Sequence, residues 1–347
     1  MKRKKGTVLL TGFPRQASRL ALNRFLAEGR RVFLLCSNEF ADEARGIIGE
    51  GNGEVFLGRC SALDLGLSGE EVKRLQSEVE EVHHLEDSYH GSPSTMRQVL
   101  IEGTRSLLEF SLDLPRLLRF VHYSSAFSVG WKQGLVVANA PVANVRRWHN
   151  TYEKLRWESE RWARSAMHQL PVTIIRSGLL VGSPDSPLDA TERSFHLLKR
   201  FVRRSVQLPL PLPDGGRHCL HICPTDYLLS ITEGLLNHKG SVGATFHVTD
   251  PTPPSAQEVL LSLGGKLPAE ESPLADRVSS WVSRIPGASP PPGAIQAYVS
   301  HEIWFELGAT RATLEGTTLT CPAFAKYSES LRDALGVGIP TKEVKKT

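Results

Sequence analysis

The chain has 347 residues, 40% apolar and 22% charged, a balance typical of a globular protein with one large domain and a smaller one. Its net charge of +4 is too small to indicate a nucleic-acid-binding protein, and no RNA- or DNA-binding module is recognisable. Five scattered cysteines predict reduced thiols, and no apolar run approaches the length of a membrane span, so we expect a cytoplasmic protein.

Short apolar strands alternate with helical segments through the first half of the chain. The expected strands are 7–11, 31–35, 54–57, 82–85, 119–124 and 172–175, and the expected helices are 17–28, 69–79, 94–111 and 150–167. Strands separated by helices build right-handed βαβ units. The pattern therefore predicts an α/β fold with a doubly wound parallel sheet, in which ligands bind beyond the carboxyl ends of the strands.

After residue 182 the composition changes to loops rich in Pro and Ser. We expect residues 221–227 and 245–248 to return to the sheet and residues 297–335 to form short helices. A further helix near 272–284 and a stiff proline connector at 289–292 are expected between them.

The residue pair Tyr152 and Arg156 has the spacing of one helical turn. Residues i and i+4 share a helix face, so the guanidinium is expected beside the phenol, where it lowers the phenol pKa from about 10. Ser125, at the end of a strand, supplies a hydroxyl. A phenol that gives a proton and a hydroxyl that holds the same oxygen are suited to carbonyl reduction. The same residues also fit a surface helical pair and a strand-end serine bonded to backbone.

The first strand ends in Thr11, Gly12, Phe13 and Pro14, directly before a helix. A glycine there lets the backbone approach a pyrophosphate, which binds at the helix N-terminus. These four residues are our first candidates for contacts with a nucleotide.

With these features, six further stretches resemble the extended short-chain dehydrogenase/reductase family, closest to its fatty acyl-CoA reductase and thioester-reductase (male-sterility-like NAD-binding) branch. They are residues 65–68, 102–108, 150–152, 170–176, 224–227 and 245–250, and the resemblance runs over roughly residues 6–335. It implies a Rossmann-like fold and a cofactor that is NADP or NAD, with NADPH favoured by the relatives alone. The implied substrate is an acyl thioester, aldehyde or ketone, with an acyl carrier or coenzyme A as a partner.

The length of the chain and the change in composition after residue 182 predict two parts, which with the resemblance are a dinucleotide-binding domain and a smaller substrate or lid sub-domain. The first is expected over 6–182 with returns near 217–250, the second over 183–216 and 251–335, and tails over 1–5 and 336–347.

Several positions depart from the family pattern. Arg15 and Ser18 occupy the later glycine positions of the loop, and Arg59 stands where the family has an adenine-binding aspartate. Arg15 narrows the approach of a pyrophosphate, although its guanidinium can also bind phosphate. Ser37, after the second strand, stands where NADPH-using relatives often have arginine. All three of Arg15, Ser37 and Arg59 remain candidates for cofactor contacts.

Leu85 ends the fourth strand and is a further cofactor candidate. The two residues that follow it, Glu86 and Asp87, replace small family residues and would repel a pyrophosphate unless they turn outward.

Arg156 stands where the family has lysine. Arginine supplies a fixed charge and donors for a ribose, but it cannot release a proton. Two readings therefore stay open: an NAD(P)H-dependent reductase with Ser125, Tyr152 and Arg156 as its catalytic residues, or a cofactor-poor pseudo-reductase that acts as a binding or regulatory module.

Three other features of the sequence each allow more than one interpretation. Cys219, His221 and Cys223 alternate on an expected strand, which indicates a buried strand more than a metal site, and we predict no metal. Residues 196–206 separate apolar from basic side chains, so they predict a lid helix, a contact with an acyl carrier or coenzyme A, or a membrane-surface helix. Three tryptophans flank the tyrosine helix and predict core packing or a homodimer contact: Trp148, Trp157 and Trp162.

Overall fold

The computed structural model describes residues 6–337 except 90, 141–144, 146, 184, 208–211, 268–294, 296–297 and 301. The helix expected at 272–284, the connector at 289–292, the tail at 1–5 and most of the tail at 336–347 lie outside the described residues.

A sheet of seven parallel strands forms the centre of the molecule. The strands of the described chain are β1 (Thr7–Thr11), β2 (Val32–Cys36), β3 (Gly53–Leu57), β4 (Val79–His84), β5 (Arg119–Ser125), β6 (Gly134–Val136), β7 (Val172–Ser177), β8 (Leu179–Val181), β9 (Ile222–Pro224), β10 (Thr245–Val248) and β11 (Ile303–Phe305). The central sheet has the order β10-β7-β5-β4-β1-β2-β3, while β6 pairs with β11 and β8 with β9. The strand order reverses between β1 and β4, which is where such sheets bind ligands.

Helices cover both faces of this sheet. The α-helices of the described chain are α1 (Gln16–Ala27), α2 (Ala41–Ile48), α3 (Gly69–Glu78), α4 (Pro93–Arg97), α5 (Gly103–Leu112), α6 (Thr151–Ala166), α7 (Arg193–Gln207), α8 (Thr225–Leu236), α9 (Ala256–Ser262), α10 (Gly308–Thr313) and α11 (Ser328–Leu335). Side chains of α1, α2 and α8 pack on one face, and those of α3, α5 and α6 on the other. The doubly wound fold is thereby confirmed.

The central strands are apolar on both faces because helices cover them on both sides. Along β1, Val8 and Leu10 pack with Leu22 of α1, whereas Leu9 packs with Phe33 and the opposite layer. A separate apolar cluster joins α7, α9 and α11 to the segments that follow β5 and β7. It lies beyond the carboxyl ends of those strands and forms one side of the cleft described below.

Two expectations for the second half have different outcomes. Residues 245–248 form the edge strand β10, as expected. The expected return of residues 221–227 to the sheet is wrong: β9 pairs with β8 in a separate two-stranded sheet, and α8 begins at Thr225. The side chains after Pro224 follow a helical and not an alternating pattern, because α8 buries one face against α1. The short helices expected within 297–335 are α10 and α11.

No helix within the described residues is long and apolar enough to cross a bilayer.

Candidate functional site

Tyr152 lies in the first turn of α6. Asn150 caps this helix, since its side-chain oxygen accepts the backbone N–H of Glu153 at 2.9 Å. The cap fixes where the helix starts and so where the phenol points. One turn later, Nε of Arg156 donates to Oη of Tyr152 at 3.1 Å. The predicted contact between these two side chains is confirmed.

Arg156 is held from three sides. Beyond Tyr152, its Nη1 donates to the carbonyl oxygen of Tyr123 at 3.2 Å, and its Nη2 lies 2.8 Å from Oδ1 of Asp87. This buried guanidinium is therefore engaged by the chain itself, and the ribose contact implied by the family resemblance would require some of these partners to give way.

Asp87 is the centre of the charged network. It turns inward, where its Oδ2 accepts the Tyr152 hydroxyl at 3.2 Å and lies 2.7 Å from Nη1 of Arg15. Nη2 of Arg15 in turn lies 2.5 Å from Oε2 of Glu192. A buried charge needs a matched partner, and Asp87 has two arginines. The second arginine, Arg15, occupies the position at which the family loop has a glycine.

The pKa of Tyr152 is raised above its ordinary value, so the expectation that this pKa falls below about 10 is wrong in its net direction, although Arg156 acts as expected. Burial in the cleft raises this pKa, Arg156 lowers it, and Asp87 raises it again. For Asp87, burial raises the pKa, but Arg15 and Arg156 outweigh burial and hold the pKa below its ordinary range. The arrangement therefore keeps a neutral phenol next to an ionised carboxylate.

The opposite side of Tyr152 is covered by Arg193, the first residue of α7. Its guanidinium lies 4.2 Å from the centre of the Tyr152 ring and donates to Oη of Tyr298. Nδ2 of Asn150 donates to the same Tyr298 oxygen at 3.1 Å. The sequence did not identify Glu192, Arg193 or Tyr298. The one sequence signal for two of them was an acidic residue followed by a basic one, Glu192 and Arg193, just before the amphipathic segment.

The two serines at the end of β5 have different surroundings. Ser125 lines the same cavity as Tyr152 and Arg156, and its oxygen accepts the backbone N–H of Phe127 at 3.2 Å, which leaves its own O–H to donate. Ser124 lines this cavity too, but its hydroxyl donates to Oε2 of Glu160 at 3.1 Å. Ser125 therefore stays the predicted catalytic serine.

Glu160 fixes α6 against the sheet. Its Oε1 lies 2.6 Å from Nη2 of Arg176 on β7 and 2.8 Å from Nε of Arg164. Burial raises the pKa of Glu160, but the two arginines outweigh burial and hold the pKa at about 2. Because Glu160 lies on the same helix as Tyr152, these ion pairs also set the position of the phenol.

The cleft has an inner and an outer part. The inner cavity, about 60 Å³, is lined by Arg15, Leu85, Asp87, Ser125, Tyr152, Arg156, Glu192 and Arg193, among others. The outer pocket, about 390 Å³, is lined by residues that include Gly12, Phe13, Pro14, Arg15, Ser37, Arg59, Cys60 and Glu86. The predicted cofactor residues thus lie around one cleft, except Thr11, for which the prediction is wrong. Thr11 lines neither part, because its buried hydroxyl lies 3.0 Å from Nδ1 of His84.

The outer pocket fits part of a nucleotide. Gly12 has a φ of +93°, and a Cβ there would lie 2.5 Å from the carbonyl oxygen of Leu85, so only glycine allows the loop after β1 to pass this close to β4. Next to it, burial raises the pKa of Glu86 to about 7. The residues present fit an adenosine and its phosphates, while the inner cavity has room for a nicotinamide only if its charged side chains separate.

The segment 219–223 and two of the three tryptophans contribute to packing within the protein. His221 Nε2 lies 2.8 Å from the carbonyl oxygen of Ile303, and the Cys223 thiol donates to the carbonyl of Pro224, while Cys219 lies before β9. The described residues contain no group of three side chains that could hold a metal. Trp148 and Trp157 pack against each other with ring centres 5.3 Å apart, and Trp162 is exposed.

The amphipathic segment 196–206 lies within α7. Its apolar residues are buried against α9 and α11, with Val206 exposed at the end. The interpretation of this segment as a membrane-surface helix is therefore wrong, because its apolar face already packs against the protein. Its basic face remains outward.

A family model described as "Male sterility protein", of the NAD-binding type, matches residues 45–232, more than half of the chain. The chain is also 27% identical, over 218 aligned residues, to the PKS-NRPS hybrid synthetase cheA of Chaetomium globosum. That alignment covers 58% of this chain but only 4% of the synthetase.

Solved structures share the fold over nearly the whole chain. The terminal R domain from the myxalamid PKS-NRPS pathway has a TM-score of 0.77 at 20% identity, covering 97% of this chain and 92% of that one. The reductase (R) domain of a nonribosomal peptide synthetase from Mycobacterium tuberculosis gives 0.71 at 16% identity, covering 96% and 92%. UDP-glucuronic acid 4-epimerase from Bacillus cereus, in complex with NAD, gives 0.64 at 14% identity, covering 95% and 98%.

Proposed function

The chain belongs to the male sterility protein family of NAD-binding domains, and from this membership we propose that it is an NAD(P)H-dependent reductase of an acyl thioester or of the derived aldehyde. The observation that carries the proposal is the contact of Arg156 Nε with Tyr152 Oη at 3.1 Å, in a cavity that Ser125 also lines.

The proposed chemistry divides between the cofactor and three side chains. A nicotinamide, when bound, supplies the hydride. Tyr152 gives its proton to the carbonyl oxygen as negative charge develops there, and Ser125 donates a hydrogen bond to the same oxygen. With a thioester, the hemithioacetal formed in this way releases the pantetheine thiol and gives the aldehyde. Arg156 stabilises the phenolate that remains, because its charge is fixed and its Nε already faces the phenol oxygen.

Cofactor binding is proposed to use the outer pocket. The phosphates would lie against the loop of Gly12, Phe13 and Pro14, with the Arg15 guanidinium as their cation. The ribose and base of the adenosine would bind near Ser37 and Arg59, which line the same pocket. Neither Ser37 nor Arg59 selects NADP over NAD, so the preference for NADPH is proposed from the relatives alone.

The substrate is proposed to arrive on a phosphopantetheine arm, carried by an acyl carrier domain or by coenzyme A. Two of the similar structures are R domains of peptide or polyketide synthetases, and a third is described as a thiolation-reductase di-domain. The outward basic residues of α7 suit an acidic partner: Lys199, Arg200, Arg203 and Arg204.

The test is to mix the purified chain with NADPH or NADH and long acyl thioesters of pantetheine or coenzyme A. The expected result is oxidation of the cofactor together with formation of aldehyde or alcohol. Oxidation at full rate by Tyr152→Phe would refute the assigned role of the tyrosine.

One observation favours a second candidate, a pseudo-reductase that acts as a binding or regulatory module. Asp87 accepts the Tyr152 hydroxyl and pairs with Arg15 and Arg156, so the inner cavity is filled by the chain's own charges. Calorimetric titration with NAD, NADH, NADP and NADPH distinguishes the candidates. Micromolar binding of any of the four, about −8 kcal/mol, would eliminate the cofactor-poor candidate.

A further inference from the structure

The N-terminus of α1 already carries an anion that belongs to the chain itself. The first backbone N–H groups of a helix have no partner within the helix, and they attract negative charge. Here the N–H of Gln16 donates to Oγ1 of Thr191 at 2.9 Å, and the N–H of Ala17 donates to Oε1 of Glu192 at 3.0 Å. In doubly wound nucleotide-binding folds, the pyrophosphate binds at this helix N-terminus.

The second carboxylate oxygen of Glu192 is also bound as an oxygen of a phosphate would be. It lies 2.5 Å from Nη2 of Arg15, so the buried carboxylate is shared between a helix N-terminus and a guanidinium. Both are partners that recognise phosphate oxygens. Arg15 therefore has its acidic partners, Glu192 and Asp87, within this chain.

The residues before Glu192 fasten the same segment to the start of α1. Nε2 of Gln16 donates to the carbonyl oxygen of Pro187 at 2.7 Å, and Arg19 pairs with Asp189. The Arg19–Asp189 pair is partly exposed, so water can replace it. Gln16 and Glu192 are buried, so an incoming anion must take over the contacts that they make.

We propose that residues 186–193, with Glu192 as the anion, form an internal plug of the diphosphate site, and that a nucleotide with a diphosphate binds by displacing this plug. The inference rests on the nucleotide site of the proposed function and adds to it a competitor built into the chain. Glu192 is followed by Arg193, which covers the Tyr152 ring at 4.2 Å. Displacement of the plug thus also moves the residue that covers the catalytic tyrosine.

The test measures binding of ADP-ribose, which has the diphosphate of the cofactor but no nicotinamide. Glu192→Gln keeps the shape of the side chain and removes its charge, and Glu192→Ala removes both. Each is expected to bind ADP-ribose about tenfold more tightly than the parent chain, because the competing anion is lost. Glu43→Gln is the matched control, since Glu43 pairs with Arg19 at the exposed side of α1, and its affinity should stay within about twofold of the parent.

Hydrogen exchange in the parent chain gives a second reading that needs no variant. Saturating ADP-ribose should speed exchange in peptides that cover residues 185–193, because the backbone N–H of Asp189, which donates to Oε1 of Gln16 at 3.3 Å, loses this partner when the plug leaves α1. Equal or weaker binding by folded Glu192→Gln and Glu192→Ala, or exchange over 185–193 that ADP-ribose leaves unchanged or slows, would overturn the plug.

The two proposals fail in different ways. If the plug is wrong and the reductase is right, the parent oxidises NADPH and the Glu192 variants gain no affinity for ADP-ribose. If the reductase is wrong and the plug is right, the variants gain affinity for ADP-ribose, but neither they nor the parent oxidise NADPH.

Discussion

The outer and inner parts of the cleft are built in different ways. The shape of the outer pocket depends on backbone: Gly12 at a positive φ passes close to the carbonyl of Leu85. The inner cavity is several times smaller and is filled by side chains in ion pairs, with Asp87 between Arg15 and Arg156. The nucleotide loop and the catalytic tyrosine therefore depend on separate features of this chain, which meet at Arg15 and Asp87, the two residues that line both parts.

The largest effect is expected for Tyr152→Phe, which changes only the inner part. Loss of the proton donor should lower the rate of NADPH-dependent reduction by about a hundredfold or more. Affinity for ADP-ribose, measured by calorimetry, should stay within about twofold, because Tyr152 lines only the inner cavity. A large loss of ADP-ribose affinity would show that the two parts are not separable.

Arg156 acts in the inner part of the cleft through its fixed charge. Arg156→Met should also lose about a hundredfold in rate, because the phenolate loses its cation. Arg156→Lys should keep or raise the rate, since lysine restores the charge and can release a proton. Lys154→Met is the matched control: Lys154 is exposed and points off the tyrosine face, so its rate should not change. If Arg156→Met is as active as the parent, the catalytic assignment of this helix face is wrong.

Gly12→Ala tests the outer part. The added Cβ would collide with the backbone of Leu85, so affinity for ADP-ribose should fall by about tenfold or more, with a loss of stability of about 1–3 kcal/mol. Gly29→Ala shares the positive φ, but its Cβ would meet open space. This control should lose stability in thermal unfolding and keep its affinity. Equal affinities for both variants would remove Gly12 from the nucleotide site.

The smallest effect concerns the charge of Glu86. Since its pKa in the folded chain is about 7, the carboxyl gains a negative charge as the pH rises through neutrality. Affinity for ADP-ribose should therefore fall severalfold between about pH 6 and pH 8 in the parent and stay level in Glu86→Gln. The stability that this raised pKa contributes is present below about pH 4.5 and is lost as the pH rises through about 7. A pH dependence that survives in Glu86→Gln would assign the effect to another group.

The sequence predicted the features that depend on local pattern. The apolar run at Thr7–Thr11 and the glycine after it placed the sheet and the nucleotide loop, and the i,i+4 spacing placed Arg156 beside Tyr152. The sheet return of 221–227 failed because a few apolar residues fit a strand or a helix equally well, and packing against α1 decided for α8.

Long-range charge contacts could not be predicted. Glu192 lies 177 residues from Arg15 in the chain, and no spacing relates the two. The same holds for Asp87, whose inward direction depends on arginines from two other segments. The sign of the Tyr152 pKa shift was wrong for this reason: the sequence indicated the cation, but neither the burial nor the carboxylate.

The most direct test of the central claim follows the hydride. NADPH that carries deuterium at its transferable position is incubated with the parent chain, with Glu192→Gln and with Tyr152→Phe, together with an acyl pantetheine thioester, and the product is analysed by mass spectrometry. If the chain is a reductase, deuterium is expected on the former carbonyl carbon with the first two chains, and about a hundredfold less with Tyr152→Phe. Micromolar binding of NADPH with no deuterium transfer by the parent or by Glu192→Gln would contradict the proposed reductase activity.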